Sequence, residues 1–300
     1  MYQTLLVVLA LIAFLALHIV PFALDARNRR EYGKPFLAPR WSVWHLLYAV
    51  EAILLLLIVM CTFYFIGLGI VAKPLGISFV KLTKAITENN FADPQALTLF
   101  FLPATVLQNI ASFVVPAAII TGLYGTKLRD IGLPAIPQRR AVIAGLLLGV
   151  LFLLTAVGIG TGLEQLAKQF DHVPAVKAML DYEQANPVAK MTGTLQSAGP
   201  AGLFWGLLAV GIAAPIGEEM LFRGFALNSL SRRFGGGWGI VLSALLFAAP
   251  HTYSPIGLSV IFLMGLSLGH VYRVSGSLWT VILIHAVNNS AQILFVYFAP

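Results

Sequence analysis

Charge is scarce in this 300-residue chain: only 10% of its residues are Asp, Glu, Lys or Arg, while 59% are hydrophobic. An ordinary soluble domain is about 25% charged. So few charges cannot cover a water-facing surface, which excludes a soluble enzyme, a nucleic-acid-binding module and a disordered tail. Cysteine is nearly absent. Cys61 alone, inside an apolar run, gives no disulfide framework and reads as a small hydrophobe. There is no HExxH metal motif, internal repeat or low-complexity tract. A net charge of +7 would point to nucleic acid in a soluble chain, but here the basic residues sit in short clusters between apolar runs. Such clusters set membrane orientation, so the partner they imply is the lipid bilayer and not nucleic acid.

A helix needs about 20 apolar residues to cross the hydrocarbon. Runs of that kind lie at 4–24, 43–71, 97–123, 141–162, 200–222, 237–251, 256–272 and 277–298. They predict an all-α, polytopic membrane protein of about eight transmembrane helices, multi-pass, in the plasma (inner) membrane if bacterial. The first run lacks a basic n-region and is longer than a signal-peptide core, so it reads as a retained helix. With the N-terminus outside, thirteen of the nineteen Lys and Arg fall in inside loops, among them Arg27, Arg29, Arg30, Lys34 and Arg40. The outside segments 73–96 and 163–199 mix apolar and charged positions at near-helical spacing and read as interfacial helices. A lid over a substrate entrance is the sharper reading of the same pattern.

Ionisable groups in hydrocarbon cost at least about 2.5–3.5 kcal/mol each on insertion scales, so each needs a reason. In GEEMLFRGF, Glu219 and Arg223 are four apart and share a helix face, where they can pair. Glu218 points about 100° away and has no cation at helical spacing, which makes it a candidate general base. SALLFAAPH places Phe247 and His251 at i and i+4, and LIHAVNNS does the same for His285 and Asn289. Two side chains donating towards one point suit a developing oxyanion. Each motif also has a structural reading: an ion clamp, a helix-end histidine, interhelical hydrogen bonds. His45, Glu51 and His270 read as interfacial residues without a role.

The ordered set Glu218–Glu219–Arg223, Phe247–His251 and His285–Asn289 resembles the CPBP family of intramembrane proteases, which includes type II CAAX prenyl endopeptidases and bacterial Abi proteins. KLRDIGLP and RVSGSLW are similar to further habits of that family. The resemblance covers about residues 200–292. It implies a helical catalytic core there, following unassigned N-terminal helices and loops over 1–140 and a fourth helix with an amphipathic outside loop over 141–199. It implies a cavity opening to the cytoplasmic side, with Glu218 and His251 activating water and His285 and Asn289 stabilising the oxyanion. Glu219, Arg223 and Phe247 are then supporting residues, and the partner is a peptide or protein substrate at the membrane.

If zinc is bound, Glu218, His251 and His285 would be its ligands. The missing HExxH motif, and a Glu218 that cannot both ligate and act freely as base, favour a metal-free, glutamate-dependent mechanism. An inactive scaffold or immunity-type protein and a proton-coupled transporter are the competing readings. The predicted spans also carry an inconsistency. Glu218 falls near the inner end of its helix, while His251 falls about 21 Å above the inner end of the next. This implies that a boundary, a tilt or a re-entrant GGGWG turn differs from the simple spans.

Overall fold

The computed structural model describes residues 41–185 and 193–298. The first apolar run, 4–24, and the basic stretch 27–40 lie outside the described residues. Those described form helices and connecting turns, with no strand among them. Six helices among them are long and apolar enough to cross a membrane: α1 (Trp44–Ala72), α3 (Pro94–Leu123), α4 (Arg139–Lys168), α6 (Gly199–Phe234), α8 (Pro255–Ser275) and α9 (Leu278–Phe298). Between them lie α2 (Phe79–Thr87), α5 (Pro174–Ala185) and α7 (Gly236–Ala248). The chain is an integral, multi-pass, all-α membrane protein.

Two corrections to the predicted spans matter for function. The fifth run does not end at 222 but continues as α6 to Phe234. The sixth is the thirteen-residue α7, too short to cross alone, and it stops at Ala248. The polar stretch after Arg223 stays helical because its side chains bond to their own helix. Asn228 Nδ2 donates to the carbonyls of Arg223 and Gly224, and Ser229 Oγ donates to that of Ala226. Gly235 then takes a positive φ of 84°, open to glycine without strain, and reverses the chain directly into α7. The GGGWG run is thus a tight turn at the end of a longer helix.

Both outside segments carry short helices. In 73–96, α2 turns Leu82 and Ala85 onto Leu68 and Ala96 and leaves Lys81 and Lys84 exposed. In 163–199, α5 packs on α4 and α8.

The bundle packs closely where side chains are smallest. A Cβ on Gly145 or Gly149 of α4 would stand 2.6 or 2.7 Å from Leu283 or Val287 of α9, and one on Gly217 would stand 2.4 Å from the Asn109 carbonyl of α3. Without a hydrophobic drive between helices in lipid, such close approach supplies the dispersion contact that holds them. Prolines inside the spans free carbonyls, which neighbouring helices satisfy. Pro103 cannot donate to Leu99, and Tyr64 of α1 donates its hydroxyl to that carbonyl at 2.7 Å. Pro215 likewise leaves Gly211, towards which Ser290 Oγ of α9 points at 3.4 Å.

One end of the bundle is tied by the two stretches KLRDIGLP and RVSGSLW. Leu278 N–H donates to the Gly132 carbonyl, Trp279 Nε1 to Pro134 and the Tyr272 hydroxyl to Ile131. Gly132 has a positive φ, and a Cβ there would stand 2.2 Å from the Gly276 carbonyl, so two glycine turns meet back to back.

Candidate functional site

The site begins with the ion pair that the four-residue spacing predicts. Arg223 Nη1 donates to Glu219 Oε1 at 2.7 Å, and both side chains are fully buried. Arg223 is held on two more sides: Nη2 donates to the Gly265 carbonyl of α8 at 3.1 Å, and the guanidinium lies 4.5 Å over the Phe247 ring. Glu219 does more than partner Arg223. Its Oε1 also faces His285 Nδ1 at 2.9 Å, so an i,i+4 pair on α6 becomes a three-residue link to α9. An N–H is the partner a carboxylate takes, so Nδ1 carries the proton and Nε2 of His285 faces away from Glu219.

His285 Nε2 is directed towards Glu218, 3.9 Å from its Oε2 and beyond hydrogen-bond reach. The two adjacent glutamates therefore differ in environment: the Glu219 side chain is 0% exposed and the Glu218 side chain 21%. One has its Oε1 held between two donors and its Oε2 buried without a partner; the other opens onto accessible space. The 100° helical step between neighbouring residues produces this division.

The corrected end of α6 removes the depth mismatch of the predicted spans. Glu218 lies about 24 Å from the C-terminal end of α6, and α7 climbs about 20 Å from the same turn. His251 follows α7 by three residues, at the depth of Glu218. It lies past the helix end and not on a helix face, yet its Nδ1 contacts the Phe247 carbonyl at 2.8 Å. A carbonyl only accepts, so Nδ1 is the donor and Nε2 keeps its lone pair. Phe247 is the hub. Its ring centroid is 5.3 Å from that of His251 and 5.8 Å, edge-on, from that of His285, while the opposite contact is Arg223. Glu218 interacts electrostatically with His285, His251, Glu219 and Arg223.

Asn289 belongs to a neighbouring network. Its Nδ2 donates to the Val210 carbonyl at 3.0 Å, and its Oδ1 accepts from Asn288 Nδ2 at 3.1 Å. Val210 lies in one of two wide π-helical stretches of α6, Leu207–Ala213 and Met220–Leu227, which flank the Glu218–Glu219 pair. Such stretches are rare and gather at functional sites, because they free carbonyls and rotate the helix register. The structure thus brings Glu218, Glu219, Arg223, Phe247, His251 and His285 into one cluster. Asn289 is set one turn further along α9, with one of its two N–H bonds committed to the backbone.

Two residues that the motif reading passed over stand beside this cluster. Asn109 of α3 is buried against Gly217, with its Oδ1 unpartnered. As an amide inside an apolar run it was as visible in the sequence as Asn288. Tyr253 stacks near His251, with ring centroids 6.1 Å apart. Burial pushes its phenol above the ordinary value, and the charges of Glu218 and Glu183 push the same way, so it stays a donor at neutral pH. His45, read as an interfacial residue, is bonded to Ser42 and to the Tyr124 hydroxyl.

The residues named for zinc are Glu218, His251 and His285. Among the described residues no three His, Cys, Asp or Glu side chains are arranged to hold one.

Comparison with known proteins finds similarity in the segment that holds this cluster. An uncharacterized 24.3 kDa protein of Escherichia coli is 36% identical over 95 residues, which cover 30% of this chain and 43% of that protein. The chain therefore spans less than half the length of that relative. No solved structure gives a significant match. Residues 200–291, the segment that holds Glu218, Glu219, Arg223, Phe247, His251, His285 and Asn289, match the family model for type II CAAX prenyl endopeptidase Rce1-like proteins.

Proposed function

We propose that this protein is an intramembrane endopeptidase that hydrolyses peptide bonds presented at the membrane, with Glu218 as general base. The observation that carries this reading is the division between two adjacent carboxylates midway along a helix long enough to span a membrane: Glu219 fixed by Arg223 and His285, Glu218 partly exposed and near two histidines. The family match over residues 200–291 supports the same chemistry.

Glu218 takes a proton from water, and the resulting hydroxide attacks the scissile carbonyl carbon. The carbonyl π pair moves to oxygen and forms a tetrahedral oxyanion. His251 Nε2, its ring oriented through Nδ1–H to Phe247, positions the water and relays a proton to the leaving nitrogen. That proton is the one Glu218 took from water; the oxyanion pair re-forms the carbonyl as the C–N bond breaks, and the new carboxylic acid gives its proton to the amine, leaving a carboxylate, an ammonium and an unprotonated Glu218.

With Nδ1–H held by Glu219, an imidazolium at His285 presents Nε2–H to the oxyanion, and Asn289 contributes its second N–H. The Arg223 cation offsets the Glu219 anion beside it, as burial in hydrocarbon requires. Phe247 excludes water from the buried side and keeps the Arg223 charge off the reacting atoms. No step is routed through a metal.

The substrate class follows from the family's description: C-terminal segments of prenylated peptides at the membrane surface. The test is reconstituted protein with a prenylated peptide in water enriched in oxygen-18. One heavy oxygen in the new carboxylate, absent with Glu218→Gln, is expected. Cleavage retained in Glu218→Gln would remove Glu218 from the mechanism.

A further inference from the structure

One cavity lies away from the Glu218 cluster, at the C-terminal end of α8. It measures about 670 Å³ and is enclosed by the 129–141 loop and the turn between α8 and α9. Its polar lining is rich in donors. Arg129 and Arg140 face it, and Ser275, Ser277 and Thr280 line its far wall. Arg140 is already oriented, its Nε donating to Gln138 Oε1 at 2.7 Å. Ser275 Oγ accepts from the Ser277 N–H and Ser277 Oγ accepts from the Thr280 N–H, which leaves each hydroxyl proton to give. Against these donors stands Asp130, whose pair with Arg129 is long, at 3.7 Å, and solvent-exposed, so it neutralises little. The floor is rigid: Gly132 and Gly276 touch there, and Trp279 is fixed by its bond to Pro134.

We propose that this cavity binds the phosphate headgroup of an anionic phospholipid. A phosphate oxygen set matches two arginines and two hydroxyls, and the cavity size suits a phosphate with its glycerol linkage. The source of the phosphate follows from what borders the cavity. Ala141 and Ala144 of α4 line it, while Ile143 and Leu147 of the same helix are exposed along the next turn, and Ile136 is 81% exposed on the loop. This gives acyl chains an apolar track leaving a polar socket, as a lipid at the interface requires. Trp279 at the same level matches the interfacial belt of aromatic residues. A juxtamembrane basic pocket of this kind draws anionic lipid, worth roughly fivefold in affinity per arginine.

The test is native mass spectrometry of the purified full chain in mixed phosphatidylglycerol and phosphatidylcholine micelles, with thermal unfolding in parallel. Wild type is expected to retain phosphatidylglycerol selectively and to unfold at higher temperature with it. Arg129→Gln with Arg140→Gln should lose that preference by an order of magnitude or more, and Arg140→Lys should lose part of it. Arg139→Gln, an exposed arginine off the cavity, should lose none. Inorganic phosphate should not displace the lipid at millimolar concentration. Equal retention of both lipids, an equal effect of Arg139→Gln, or stabilisation by inorganic phosphate alone would each overturn the proposal. If the double variant does not fold, Arg140→Lys decides against Arg139→Gln.

Discussion

Replacing Glu219 by Ala, compared with the same change at Glu218, tests whether two neighbouring carboxylates hold separate tasks. At 219 the change leaves Arg223 fully buried with only the Gly265 carbonyl and the Phe247 ring, and it releases Nδ1 of His285. Removing one partner of a buried ion pair costs about 3–5 kcal/mol, because the surviving charge keeps its desolvation penalty. At 218 the lost side chain is 21% exposed, and its contact with His285 is too long for a hydrogen bond. A cost of about 1 kcal/mol or less is expected there. The assay is thermal unfolding of both purified variants in one detergent, followed by proteolysis of each at matched folded fraction. Glu219→Ala should fall by on the order of 10 °C. Glu218→Ala should melt near wild type and cleave nothing. Equal melting points, or full activity in either variant, would refute the division of roles.

Gly217→Ala should destabilise by about 1–3 kcal/mol, because the new methyl meets backbone of Asn109 that cannot yield; thermal unfolding measures this, and Gly122→Ala, with open space around it, is the control. Glu183 is held above the ordinary carboxylate range by burial and by repulsion from Glu164. The folded state therefore binds its proton more tightly than the unfolded state, and α5 should be more stable near pH 5 than near pH 7. Amide exchange in α5, corrected for intrinsic rate, should show that loss as pH rises, and Glu183→Gln should flatten it. Proteolysis should survive a strong chelator, since Glu218, His251 and His285 are not arranged as a metal site; loss of activity restored by zinc would reverse that assignment.

Much of the site was legible because helical periodicity fixes which residues share a face. The Glu219–Arg223 pair and the separation of Glu218 follow from 3.6 residues per turn. The approach of Glu219 to His285 spans 66 positions and depends on how α6 and α9 pack, which one sequence does not encode locally. The apolar run stops at 222, before the charge of Arg223, whereas α6 continues because Arg223 is buried on Glu219 and the side chains of Asn228 and Ser229 bond to their own helix. The wide stretches around the site were equally hidden. One of their carbonyls accepts from Asn289, the interhelical hydrogen bond that spacing offers as the alternative to an oxyanion role. KLRDIGLP and RVSGSLW were visible as motifs, but their union through Gly132, Leu278 and Trp279 joins segments about 145 residues apart.

The central claim is proteolysis by Glu218, and peptide termini in cells test it most directly. Cells carrying wild type and cells carrying Glu218→Ala at equal membrane abundance would be compared by terminal proteomics. New termini at membrane-adjacent positions with wild type alone are the predicted result. Identical termini in the two populations would contradict the account and leave the buried cluster as a structural element of a membrane scaffold.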